Sequence, residues 1–370
     1  MYDWPVIKNI DDVLPHIDST FIVKEKFGVV YINYTHASPD VFPPITDLSS
    51  KVRRECRGIA FCHTTGKILS RPFHKFFNYE EREEEDWSLD KPHVILEKLD
   101  GSMLRPIPYE DGTVRWATKA GVTDVGQMAE TFVARNPQYQ DFAKRCIQFG
   151  VTPIFEFCSR GNRVVLDYPQ PTMVLLALRN NQNGHYLPFD IMGKEKEIPV
   201  VQESTVSVLE ARGLEDSEGI VVRYSDGHMF KQKSEWYVKC HRGKELAANK
   251  RKAVGLILDD ALDDVLPLVD EATRRELNKL WTDVWKGLED TAKEYDEGYA
   301  EMRQNFETKK DFAVSPLAEK LKPLFKAYVF KAWDNKYKDP QDFLQERLKK
   351  SLTNETRFQQ VLKQMEVDIE

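Results

Sequence analysis

The chain contains no Cys-x-x-Cys, and its five cysteines (Cys56, Cys62, Cys146, Cys158, Cys240) are scattered and odd in number. That pattern argues against a zinc module and a disulfide framework, and it suits a reducing compartment. No apolar run approaches the ~18 residues that a bilayer span requires, so no membrane partner is expected. The opening Met1-Tyr2-Asp3-Trp4-Pro5 lacks a basic head and an apolar middle, which excludes an ordinary secretion signal. From these absences a cytoplasmic protein is expected. There is no internal repeat and no excess of positive charge. Fifty-three basic residues stand against 60 acidic ones, a net charge of -7, which on its face argues against a nucleic-acid partner.

At 370 residues, with 41% hydrophobic and 31% charged residues, the chain is long enough for two cored domains. The distribution of charge matters more than its sum. Lys51 to Lys75 holds seven basic residues and one acid, Glu55, and Arg223 to Lys252 holds nine basic residues and three acids. The compensating acid lies at Glu80–Asp86 and in the last third. Each basic segment reads either as a solvated face or as one wall of a phosphate-handling cleft.

Residues 22–34 alternate and end in Val29-Val30-Tyr31-Ile32-Asn33-Tyr34, the pattern of a strand. Arg57–Phe61, a Thr65-Gly66 turn and Ile68–Arg71 read as a hairpin, as do Met103–Pro108 and Val114–Thr118 across Glu110-Asp111-Gly112. The period over 124–149 changes to that of two helices. Strands are expected again at Pro153–Cys158, Arg163–Leu166 and Met173–Leu178, a short helix at Thr205–Ala211, and a last hairpin over Ile220–Lys233. From about Glu245 the period is helical almost throughout, with apolar stripes such as Leu277, Leu280, Val284, Trp285 and Leu288 that read as core. The expected fold is α+β, a strand-rich antiparallel domain over 1–241 followed by an all-helical domain over 242–370.

One lysine stands out. In Glu97-Lys98-Leu99-Asp100-Gly101-Ser102, Lys98 closes an apolar run (Val94, Ile95, Leu96) just before an Asp-Gly turn. A strand-end lysine beside a turn is the plain reading. The alternative is a poorly solvated amine, and desolvation is how an ammonium becomes a nucleophile. Other strands deliver matching groups: Arg57, Lys75, Glu156 between Phe155 and Phe157, Glu218 before Gly219, and Lys231 with Lys233 on one strand face.

This order resembles the covalent nucleotidyltransferases, and within them the phage T4-type RNA ligase 1 family, over about residues 29–241. Lys98-Leu99-Asp100-Gly101-Ser102 resembles motif I, and Arg71-Pro72-Phe73-His74-Lys75-Phe76-Phe77-Asn78 the segment just upstream of it. Ile154-Phe155-Glu156-Phe157 with Asn162-Arg163-Val164-Val165 is similar to motif III and its continuation. Glu218-Gly219-Ile220-Val221-Val222 is similar to motif IV. Phe230–Val238, reading FKQKSEWYV, is similar to motif V in the wording of RNA ligase 1. The family's Tyr-Asn-Tyr is replaced here by Ile32-Asn33-Tyr34.

The resemblance implies a nucleotidyltransferase domain and an ATP-dependent ligase joining 5′-phosphate and 3′-hydroxyl ends of single-stranded RNA, through AMP carried on Lys98 and then on the RNA 5′ end. It implies that Lys231 and Lys233 hold the α-phosphate, and that Arg57 and Lys75 serve phosphates or ribose. Phe77 would support adenine. Glu97, Glu156 and Glu218 would belong to the nucleotide site, with Asp100, Gly101, Lys119 and Tyr237 in support. Magnesium, or manganese, would be the cofactor, with Asp263 and Asp264 as an acidic pair implicated in holding it. The helical domain would choose the RNA, for instance a nicked tRNA in repair, and the protein would act as a monomer in the host cytoplasm if phage-encoded. Two other readings are a capping-type guanylyltransferase, which carries a small C-terminal barrel rather than helices, and a non-catalytic RNA-end-binding module.

Overall fold

The computed structural model describes residues 3–82, 87–192, 197–263, 265–337 and 339–367. The chain divides into two compact units, Met1–Val238 and Lys239–Glu370.

The first unit is built on three antiparallel sheets, a mixed helix-and-sheet architecture of α+β type. One sheet has the order β1 (Phe21–Lys26), β2 (Val29–Tyr34), β3 (Arg57–Cys62), β4 (Ile68–Ser70). The single strand expected over 22–34 is thus a hairpin. Phe27 and Gly28 both adopt positive φ at its turn, the backbone that a tight two-residue connection needs. Between β2 and β3 lies α1 (Leu48–Glu55), started by a reciprocal cap in which Asp47 Oδ1 accepts from the Ser50 amide at 2.8 Å.

The second sheet has the order β11 (Met229–Lys233), β10 (Gly219–Tyr224), β5 (His93–Glu97), and the third β7 (Val114–Ala117), β6 (Ser102–Pro108), β8 (Val151–Cys158), β9 (Thr172–Asn180). Helices α2 (Asp124–Arg135) and α3 (Gln138–Gln148) cover one face of the third sheet. Ala129, Val133, Tyr139 and Phe142 meet Leu104, Trp116, Phe155, Phe157 and Met173 in a common core. A one-turn helix, α4 (Phe189–Met192), follows β9.

Two expected elements are absent. Arg163–Leu166 is a loop rather than a strand, because the amides of Val165 and Leu166 bond the Asp100 carboxylate at 2.7 Å each instead of a neighbouring strand. Thr205–Ala211 forms only a 3-10 turn over Glu210–Gly213. There Glu210 accepts from the Ser207 amide and hydroxyl, at 2.9 and 2.7 Å, a local bond that competes with regular helix.

The helix α5 (Glu235–Ala248) begins in the first unit and ends in the second. The second unit continues with α6 (Lys250–Leu258), α7 (Glu271–Asn305), α8 (Lys309–Ala313), α9 (Pro316–Lys320), α10 (Pro323–Trp333), α11 (Pro340–Ser351) and α12 (Glu355–Gln364). Side-chain caps start most of them: Asp270, Thr308, Ser315, Asp339 and Asn354 each accept from an amide of the first turn. Leu277, Val284 and Leu288 of α7 are buried against Tyr328, Phe343 and Leu348, so the apolar stripes are core. None of the five cysteines forms a disulfide. Among the described residues no helix is long and apolar enough to cross a membrane.

Candidate active site

A cavity of about 590 Å³ lies in the first unit between the second and third sheets. Register explains its lining. On β10, Val221 stands between Leu96 of β5 and Lys231 of β11, while Gly219 faces Lys233. Because alternate residues share a face, Leu96, Val221 and Lys231 all reach the cavity. On β8, Glu156 pairs with Met103 of β6 and both face the cavity, whereas Phe155 and Phe157 point the other way into the helix-covered core. Alternation thus delivers a single carboxylate from an aromatic strand.

Lys98 follows the last residue of β5, and its backbone amide donates to Gly219 O at 2.9 Å. Its amine is 2.7 Å from Glu218 Oε1, and Lys233 reaches the same oxygen at 3.1 Å. The nearest partner of the amine is thus a carboxylate, shared with a second lysine. The Lys98 side chain is 21% exposed and Glu218 5%, so the pair lies in the cavity wall rather than in bulk water. Gly219 is forced: its φ is +126°, and a Cβ there would strike Gln232 O.

Asp100 locks the turn after Lys98. It is buried, and Oδ2 accepts from the amides of Val165 and Leu166 while Oδ1 accepts from Tyr237 Oη at 2.6 Å. Its own amide donates to Tyr168 Oη at 3.1 Å. Gly101 has no room for a side chain, since a Cβ would meet Phe157 O and Cys158 Sγ. Asp100, Gly101 and Tyr237 thus hold the loop bearing Lys98. Burial, with Glu218 and Asp100 nearby, pushes the Tyr237 hydroxyl up, so it stays a donor.

Two cavity groups are strongly perturbed. Burial pushes the Glu156 carboxyl up to about 8; Lys98 opposes the shift and Glu218 adds to it. Burial also pushes the Lys231 amine down to about 7, helped by Lys75, Lys98, Arg57 and Lys233. Paired groups displaced in opposite directions are a common mark of a functional cleft.

Of the sequence-derived site residues, Arg57, Glu97, Lys98, Gly101, Lys119, Glu156 and Lys231 line the cavity; Glu218 joins through Lys98, and Lys233 through Glu218. Phe77 does not line it. The ring is 1% exposed and packs with Phe42 and Val52 in the core of the first sheet, while its neighbours Phe73 and Phe76 line the cavity. An extended segment alternates faces, and Phe76 takes the inward one. Lys75 does not line it either: it is buried, with Nζ 4.3 Å from the Phe77 ring centre and 3.3 Å from Phe76 O. Burial pushes it down to about 8. Ile32 is wholly buried, and Tyr34 is the tyrosine that approaches Lys119, 5.2 Å from amine to ring centre. Asp263 is exposed in the turn after α6, and Asp264 lies outside the described residues.

Other residues hold the site in shape. Ser102 Oγ bonds Asn162 Oδ1 at 3.3 Å, and Asn162 Nδ2 donates to Phe157 O at 3.2 Å, tying the loop after β8 to the Lys98 turn. Arg71 and Arg179 converge on buried Glu55, at 3.0 and 2.8 Å. This network anchors the segment that presents Phe73 and Phe76.

A family profile described as RNA ligase, of the T4 RNA ligase 1 type, matches residues 55–241. A putative RNA ligase of Thermovibrio ammonificans is 30% identical over 308 residues, 77% of this chain and 78% of that protein. A putative bifunctional polynucleotide kinase/RNA ligase of Autographa californica nuclear polyhedrosis virus is 30% identical over 276 residues, covering 66% of this chain and 39% of that one. RNA ligase 1 of Bacteriophage TS2126 is 29% identical over 170 residues, 43% of this chain and 41% of that protein. Among solved structures, an archaeal ATP-dependent RNA ligase aligns with a TM-score of 0.44 at 14% identity, over 71% of this chain and 72% of that one. The chain belongs to the T4-type RNA ligase family, and it is an enzyme of the RNA-joining class.

Proposed function

We propose that the cavity binds ATP and that Lys98 carries the nucleotide. The observation that bears this reading is the gathering, in one cavity, of Lys98 on Glu218, the carboxyl of Glu156, and the cations Arg57, Lys119 and Lys231. Lys98 Nζ attacks the α-phosphorus, an N–P bond forms, the bond to pyrophosphate breaks, and the amine proton leaves. AMP then passes to the 5′-phosphate of an RNA, and a 3′-hydroxyl displaces it to seal the strand. Such transfers depend mainly on positioning and on neutralising charge as it develops. Lys231 and Lys233 flank Lys98 and would hold the α-phosphate oxygens. A positioned donor in a dry site is worth roughly 3 kcal/mol of barrier.

Its depressed basicity makes Lys231 a second candidate for the nucleophile. Geometry favours Lys98, which stands on a strand-end turn locked by Asp100 and shares Glu218 with a second lysine. Lys231 lies mid-strand, 5.9 Å from the Phe76 ring centre.

The family's divalent cation fits the residues present. No protein group donates a hydrogen bond to the Glu156 carboxylate among the described residues, and Glu218 is close enough to raise it further. Magnesium or manganese held by these two, largely through water, would neutralise charge on the phosphates. We assign the choice of RNA, single-stranded with 5′-phosphate and 3′-hydroxyl ends and including nicked tRNA, to the helical second unit.

Incubation with α-labelled ATP and magnesium should leave label on the protein, and Lys98→Ala should take none. Labelling of that variant, or labelling by GTP in place of ATP, would contradict the proposal.

A further inference from the structure

Arg105 is a buried charge beside the cavity that the chemistry above does not use. It lies on β6 with 0% exposure and, among the described residues, has no carboxylate partner. Nη1 donates to Ala117 O at 3.2 Å and to Thr118 O, and Nη2 donates to Gly58 O. Burial pushes its pKa down to about 10. An unpaired buried guanidinium is costly, so what it holds together is informative.

Gly58 follows Arg57, and Thr118 precedes Lys119. Arg57 and Lys119 both line the cavity, and neither belongs to the sheet that carries Lys231 and Lys233. The two backbones touch directly. A Cβ on Gly58, whose φ is +93°, would lie 2.6 Å from the Cα and O of Lys119. One guanidinium therefore fixes the separation of two chain segments that each deliver a cation.

Resting on the nucleotide reading, in-line chemistry says what those cations face. Lys98 attacks from the end of β5, so pyrophosphate must depart on the far side of the α-phosphorus, away from the sheet carrying Lys98, Lys231 and Lys233. Arg57 is supplied by β3 of the first sheet and Lys119 by the turn that follows β7 of the third. We infer that Arg105 is a positioning residue for the first step alone: by tying Gly58 to Thr118, it holds Arg57 and Lys119 at the spacing that receives the departing pyrophosphate. Sealing of an RNA already adenylylated at its 5′ end releases AMP and no pyrophosphate, so it does not need that spacing.

Arg105→Lys keeps the charge and gives up part of the fork. Gly58→Ala pushes the two backbones apart without touching the guanidinium. Each variant is measured for lysyl-AMP formation across ATP concentration, for sealing of a 5′-adenylylated oligoribonucleotide without ATP, and for thermal melting. Both are expected to show at least a tenfold rise in KM for ATP, with sealing within threefold of wild type. A parallel fall of both steps in both variants assigns Arg105 to structure alone and overturns the inference, as does an unchanged KM for ATP. Wild-type protein that takes no label from ATP would instead sink the nucleotide reading itself, and this inference with it.

Discussion

Lys231 shows how one residue's burial couples function to stability. Its amine titrates near 7 in the folded chain, against ~10.4 for an unperturbed lysine. A base whose folded pKa is depressed makes folding less favourable wherever it is charged. That cost is full below pH 7 and fades as pH rises from 7 toward 10. Lys231→Met should therefore melt higher than wild type at pH 6, with the advantage shrinking through pH 8 and gone near pH 10. Melting curves at those three values check it, and an advantage that grows with pH would contradict the sign. The same substitution should greatly reduce labelling by ATP. At this scale the sequence was informative where a residue's neighbours mark it: Lys98 before an Asp-Gly turn, or Glu156 between aromatics. It could not say which of Phe76 and Phe77 faces inward, because both faces of that segment are apolar. Arg105 was invisible, since an arginine on a strand reads as surface until its three carbonyl partners are brought to it from Gly58, Ala117 and Thr118.

Among elements, three hairpins were legible because their turns announce themselves: Thr65-Gly66, Asp111-Gly112 and Asp226-Gly227 carry positive-φ glycines, whereas the β1–β2 turn at Phe27-Gly28 was hidden inside an alternating run. Helix α1 was not, as its eight residues lie within a basic stretch between two strands. Yet its last residue, Glu55, is the hub of the buried Arg71–Glu55–Arg179 network, all three side chains being at most 1% exposed. Arg71 also donates to Pro5 O at 2.9 Å and Gln182 O at 3.0 Å, and Arg179 to Gly184 O at 2.9 Å. The network thus ties α1, the segment behind the cavity, the N-terminal residues and the turn after β9. Removing the carboxylate leaves two buried guanidinium groups uncompensated. Glu55→Ala should cost about 3–5 kcal/mol, read as a drop in the urea midpoint without change in slope. A loss under 1 kcal/mol would mean that the backbone carbonyls alone satisfy both arginines. The Asp100 contacts make a similar point. The loop at Arg163–Leu166 looks like a strand in sequence, and it is diverted by one side chain 65 residues earlier.

For the whole molecule, the change of periodicity near Glu245 foretold a strand-rich part and a helical part. Each unit has its own core: Leu277, Tyr328 and Phe343 belong to one, Leu104, Phe155 and Met173 to another. The chemistry is sharply defined, since two lysines compete for the role of nucleophile. Mapping the adenylyl adduct by tandem mass spectrometry, after incubation with ATP and magnesium, decides between them. The account predicts a single acid-labile adenylyl group on the peptide containing Lys98. An adduct on Lys231, or on any residue outside the cavity, would contradict it.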